Sequence, residues 1–299
     1  PENAAHQTVK LIIRGGTSYL AEPIILKPED SHLIVETYPH EHPYFSGGKR
    51  ILNWKTTTLA GKEVWAADVP ETRDGNWFFR ELWVNNKRAI RARHPNRGYL
   101  GVASIPDAKP EQPWHEGQSR FSWKDGDLPE IAQLGDLDVI VMTKWVESRL
   151  PVAKLMPGEH MFYFGKRSTY KMEPGDLWYA EGAREFLDEP GEWFLDRREG
   201  RVYYAPLPED KLAGIEAIAP VIQQVMRFEG APESGRYVED VTIRGITLSH
   251  SEWKIPSDAH AAQDAAMTWP APVNEVGGFG QAAVGVPGAI FGDGVRNCR

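Results

Sequence analysis

The apolar residues of this chain fall in short, β-branched runs separated by Gly, Pro and Asp, and long stretches of helical periodicity are scarce. Short apolar runs bounded by turn residues read as strands. Val9-Lys10-Leu11-Ile12-Ile13-Arg14 is the first, stopped at Gly15-Gly16, and Pro23-Ile24-Ile25-Leu26 is the second, followed by the turn Lys27-Pro28-Glu29-Asp30. His32-Leu33-Ile34-Val35-Glu36 is a third, and Tyr44-Phe45-Ser46 opens another before Gly47-Gly48. None is joined to the next by a helix or a tight two-residue turn. That rhythm fits successive sides of a β-solenoid, at about 20–25 residues per coil, although periodicity alone leaves an antiparallel sandwich open.

The texture changes from about Trp54. Phe78 to Val84 leads through Asn85-Asn86 into Lys87 to Arg93, and Asn-Asn supplies the positive φ angles of a hairpin turn. A second hairpin is expected from Glu192–Asp196 and Arg201–Ala205 around Arg197-Arg198-Glu199-Gly200. Residues 101–140, rich in Pro, Asp and Gly, read as loops, so the middle of the chain is expected to be an antiparallel β domain. After residue 215 the first texture returns, with strands over Val225–Gly230, Val241–Leu248 (Gly245 marking a bend or bulge), Ala289–Gly292 and Val295–Cys298. The final run reads as the middle of a coil, so further coils are expected beyond Arg299.

Composition narrows the function classes. Hydrophobic residues at 41% and charged residues at 25% describe a globular chain. A net charge of −8 argues against a nucleic-acid partner, which needs a basic face. No apolar run approaches the ~18 residues of a membrane-spanning helix. The lone Cys298 permits no internal disulfide and does not decide the compartment. Eleven tryptophans are an unusual number. Their flat faces suit stacking on sugar rings, and equally suit filling a β core.

Several of these segments carry a resemblance. Arg14-Gly15-Gly16-Thr17-Ser18-Tyr19-Leu20, Leu82 to Asn85 with Arg88 to Arg93, Phe186 to Asp196, and Val241 to His250 resemble bacterial β-helix proteins of glycoside hydrolase family 141. The resemblance implies an all-β fold: a right-handed parallel β-helix whose N-terminal coils are interrupted by an antiparallel β-rich insertion domain. The implied division is residues 1–53 for the first coils, 54–215 for the insertion and 216–299 for the resumed helix. It further implies an exported (secreted or periplasmic) glycoside hydrolase acting on cell-wall glycans that contain fucose or xylose, so an oligo- or polysaccharide is the expected partner. The family's catalytic carboxylates lie in later coils, so no catalytic residue is assigned here and this chain alone is expected to be inactive.

Glycosidases need two carboxylates flanking the scissile bond. Asp188, Glu189, Glu192 and Asp196 form the densest acidic group, but Asp188-Glu189-Pro190-Gly191 is a turn sequence, with Glu192 and Asp196 expected on the polar side of a strand. His250-Ser251-Glu252-Trp253 directly follows a strand and opens an excursion over about 251–281. Loops leaving a solenoid wall its ligand groove. Trp253 is therefore expected to stack on a sugar, with His250 or Glu252 bonding hydroxyls. The alternative is that His250 bonds between coils and Trp253 packs under the loop. His40-Glu41-His42 has metal-like spacing but lacks a third ligand and sits between prolines. Neither a metal nor a cofactor is expected. The arginines at 88, 91, 93 and 97 are expected to form salt bridges. Phosphate-loop and serine-elbow sequences are absent. Two rivals share the fold: a polysaccharide lyase, which needs Ca²⁺ and a base, and a non-catalytic glycan-binding or adhesion protein.

Overall fold

The computed structural model describes residues 8–253, 276–278 and 288–299. Most of the excursion expected over 251–281 lies outside them. Among the described residues the chain is all-β, built of strands and short 3-10 turns without an α-helix.

Strands from the two ends of the chain pair in parallel. Leu33–Thr37 holds Val9–Ile13 on one side and Thr242–Arg244 on the other. Pro43–Ser46 likewise lies between Gly16–Tyr19 and Thr247–Ser249, and Met226–Glu229 between Ile24–Leu26 and Ile290–Asp293. Parallel neighbours cannot be joined by a tight hairpin, which explains why bends and not two-residue turns separate the first strands in sequence. Met226, Phe228, Val238 and Val241 are buried between these ladders, with Ile24, Leu26, Leu33, Ile243 and Cys298 packed against them.

Val241–Leu248, read as one bent strand, is two strands in different ladders, with Gly245 at the corner at φ +78°. A Cβ there would lie 2.8 Å from both Cγ2 and Oγ1 of Thr37. Gly245→Ala is expected to destabilise the chain by about 1–3 kcal/mol through the left-handed backbone and this contact, as a lower midpoint in urea unfolding.

Antiparallel ladders run from Gly48–Ile51 to Ala217–Pro220, which pair with each other. Both expected hairpins form. Asn85 and Asn86 take φ +50° and +62° between Trp83–Val84 and Lys87–Arg88, although Phe78–Leu82 is not strand. Glu192–Asp196 pairs with Arg201–Tyr204. Ile90–Arg91 runs parallel to Glu192–Trp193, so that sheet is mixed. The largest sheet, seven-stranded and centred on Asp138–Thr143, Val146–Met156 and Leu177–Glu181, has no counterpart in the sequence reading. Its sequence Asp138-Val139-Ile140-Val141 is buried throughout, so the alternation that marks a half-exposed strand is missing.

The middle region holds two aromatic-rich cores. Phe121, Phe162, Phe164 and Trp178 pack in one; Trp54, Trp65, Phe79, Trp193 and Tyr204 pack in the other. Trp178 and Trp193 are fully buried, whereas Trp114, Trp145 and Trp253 are exposed. The tryptophan excess therefore divides between core and surface.

Candidate functional site: a groove over a buried ion cluster

A groove of about 530 Å³ opens where segments distant in sequence meet. Gly75 to Phe78 with Arg80, Asp136 to Asp138, and Glu252-Trp253 line it, joined by Pro151, Val152, Arg197 and Val221. Trp77 is anchored by its Nε1–H, which donates to Pro220 O at 2.9 Å, and its ring packs on Phe79. Phe78 lies between two guanidiniums, Arg80 at 4.6 Å and Arg197 at 5.0 Å from its ring centre. Glu252 is buried, and its N–H donates to Ile222 O at 2.8 Å, which fixes the chain just before Trp253.

Asp138 belongs to a buried ion cluster. Arg91 Nη1 donates to Asp138 Oδ2 at 2.7 Å and to Glu181 Oε1 at 2.8 Å, while its Nη2 donates to Asp136 O at 2.8 Å. Arg80 Nε donates to Asp138 at 3.1 Å, and Arg149 pairs with Glu181. Burial would raise the Asp138 carboxyl, but Arg80, Arg91 and Arg149 outweigh it and hold the group well below the usual carboxylate range. Glu181 is lowered in the same way, with burial opposed by Arg149 and Arg91. Arg197 pairs with Asp136 through both Nε and Nη2, so Asp136 and Asp138 both face guanidiniums. This part of the lining is charged, and its carboxylates are engaged structurally.

The three residues singled out from sequence fall in two places. Glu252 and Trp253 line the groove. His250 turns away, at φ +56°, with Nδ1 2.9 Å from Ser46 Oγ and its ring edge-on to Trp83 at 5.0 Å. Burial pushes its pKa down, so it is neutral at neutral pH. Its geometry is that of an inter-strand tie. Trp77, Phe78, Arg80, Asp138 and Arg197 escaped the sequence reading; the run Trp77-Phe78-Phe79 after Gly75-Asn76 was the available signal.

Of the acidic group, Glu192 is buried and accepts the N–H groups of Asp188 and Glu189, both at 3.1 Å, and of Arg93. Asp196 accepts from Arg184 and from Glu199 N–H. Both act as turn clamps, and neither lies on an exposed polar face. Glu41 is engaged by Arg14 and Gly15 N–H, and no metal-binding group of His, Cys, Asp or Glu occurs among the described residues. Of the four arginines, Arg88 pairs with Glu81 and Arg93 stacks over Tyr179 at 3.9 Å.

Residues 61–161 match the family model of the GH141 insertion domain. No curated protein matches the chain. Among solved structures it is similar to a glycoside hydrolase, at 24% identity and a TM-score of 0.62, over 82% of this chain and 43% of that one. A weaker likeness, to XylC in complex with xylose, has 12% identity and a TM-score of 0.28 over 81% of this chain and 30% of that one, too low to carry an argument. The chain therefore spans less than half the length of the glycoside hydrolase it resembles.

Proposed function

From its relationship to glycoside hydrolase family 141, we propose that this chain supplies a glycan-binding wall of an exported glycoside hydrolase acting on cell-wall glycans that contain fucose or xylose. The parallel ladders are, in this reading, faces of a right-handed parallel β-helix. Residues 1–53 and 216–299 form its coils, and 54–215 the insertion domain. Glu252 and Trp253 contact substrate, while His250 holds the strand before them. The observation that carries the reading is the groove itself, whose lining includes Trp77 and Trp253 together with Arg80 and Glu252. Sugar rings need that combination, an apolar face against their C–H groups and polar groups at the rim.

Trp253→Ala is expected to weaken oligosaccharide binding about tenfold or more, read by calorimetry with xylan-, fucosylated xyloglucan- and rhamnogalacturonan-derived oligosaccharides. No binding of any of these by the unaltered chain would sink the proposal. Asp136 and Asp138 are committed to arginines, and in this reading the catalytic acid and its partner lie, as the family relationship implies, in later coils of the parent protein. Aryl fucosides and xylosides are accordingly expected to turn over with a longer protein carrying those coils and not with Pro1–Arg299. Equal turnover by both would overturn this assignment.

A further inference from the structure

A second cavity of about 310 Å³ abuts the groove, and the Arg197–Asp136 ion pair lines both. Its volume is at the lower end of the ~300–1,000 Å³ typical of ligand sites. The walls come from the segments around Gln133, Glu185 and the Arg197-Arg198 turn, with Phe194 as apolar lining.

Three charged groups in this cavity lack an ion-pair partner among the described residues. Arg73 donates only to the backbone carbonyl of Glu199, through Nε at 3.0 Å and Nη2 at 2.5 Å. Arg198 has a single long contact, 3.5 Å to Gln133 Oε1. Glu185 accepts Ala132 N–H on Oε1 at 3.2 Å, while its Oε2 is buried without any hydrogen-bond partner. An unsatisfied buried carboxylate oxygen is costly, and such atoms in native structures call for an explanation. A ligand in the cavity reaches Oε2 only when the carboxylate turns, a movement that the broad terminal torsion of glutamate allows.

An unengaged acceptor and unengaged donors lining one cavity define the ligand. A carboxylate or sulfate would satisfy the arginines and be repelled by Glu185; a cation would do the reverse. A hydroxyl both donates and accepts. We propose that this cavity is a second subsite that takes a neutral, hydroxyl-rich sugar unit of the same glycan, which crosses from the groove over the Arg197–Asp136 pair. Glu185 accepts from its hydroxyls, Arg198 and Arg73 donate to them, and Phe194 meets a C–H face. The inference rests on the glycan reading of the groove and deepens it, because it requires a ligand long enough to occupy both cavities.

The test is calorimetric titration of the whole chain with di- and trisaccharides and with longer oligosaccharides from the three sources named above. The unaltered chain should bind the longer series about tenfold more tightly than the short one. Glu185→Gln, which keeps the acceptor for Ala132, and Arg198→Ala, at the exposed rim, should each abolish that increment and leave short-ligand affinity unchanged. Thermal melts establish that both variants fold. If both preserve the increment, the second subsite is wrong while the groove reading stands. If Trp253→Ala leaves every affinity unchanged, the groove reading fails whatever the cavity variants do. Should a uronate-bearing oligosaccharide gain from the cavity where neutral ones do not, the assignment to a neutral unit is overturned.

Discussion

Asp138→Asn is expected to lower the stability of this chain by about 3–5 kcal/mol, because it leaves Arg80 without its carboxylate and Arg91 and Arg149 sharing Glu181 alone. The Asp138 side chain is 2% exposed and accepts from Arg80 and Arg91, with Arg149 3.9 Å away. Deleting one member of such a cluster strands the charge that remains in a medium which solvates it poorly. Urea unfolding would show this as a lower midpoint with an unchanged slope. An Asp138→Asn variant as stable as its parent would mean that the cluster contributes nothing.

The same carboxylate sets a pH dependence. Its folded pKa is depressed below the unfolded value of about 3.9, so the native state binds fewer protons than the unfolded state in acid. The contribution is therefore fully present above roughly pH 5 and is lost as pH falls through and below ~4. Glu181, also depressed, acts in the same direction. The stability of the parent should fall more steeply on acidification than that of Asp138→Asn. Parallel acid limbs for the two proteins would contradict the assignment.

The second large effect is expected at Gly182, which sits at φ +86° directly behind the Arg91 guanidinium. A Cβ at that position would come within 2.3 Å of Arg91 Nη2 and 2.7 Å of both Arg91 Cζ and Asp136 O. Gly182→Ala therefore combines about 1–3 kcal/mol of backbone strain with displacement of the central arginine. A total of about 3 kcal/mol or more is expected, since moving Arg91 breaks the cluster. Residues that act through one network are not additive. In an Arg91→Ala background the same glycine substitution should cost less, only the backbone strain and the remaining contact with Asp136 O. Full additivity in that double-mutant cycle would show that the steric contact with Arg91 is unimportant.

Both predictions concern residues that no local pattern marked. Asp138 stands at the start of the apolar run Val139-Ile140-Val141, and reads there as the end of a loop. Its partners Arg80, Arg91, Arg149 and Glu181 come from four separate segments, and only folding brings them within hydrogen-bonding distance. Trp253, read from sequence as a candidate sugar contact because an aromatic beside a carboxylate follows a strand, lines the groove. Trp77 was obscured by the neighbouring Phe78 and Phe79, which resemble core. His250 shows the converse: its type and position suit a site, yet the left-handed backbone at φ +56° turns it onto Ser46. A φ angle of that kind is not written in a single histidine.

What the sequence determined by itself is local. Short β-branched runs punctuated by glycine and proline specify strands and rule out long helices, because those residues restrict the backbone within a few positions of themselves. Asn85-Asn86 likewise supplies the positive φ angles of its hairpin turn, which Asp210 and Glu216 then brace. The tertiary structure decided which strands pair and in which direction. It made Gly245 a corner between two ladders and assembled the groove from residues far apart in sequence. It also depressed the pKa of Asp138. The physical reason is common to all of these. Strand propensity is satisfied by a parallel or an antiparallel neighbour alike, and a carboxylate is the same residue in water or against three guanidiniums. Burial and long-range packing supply the difference.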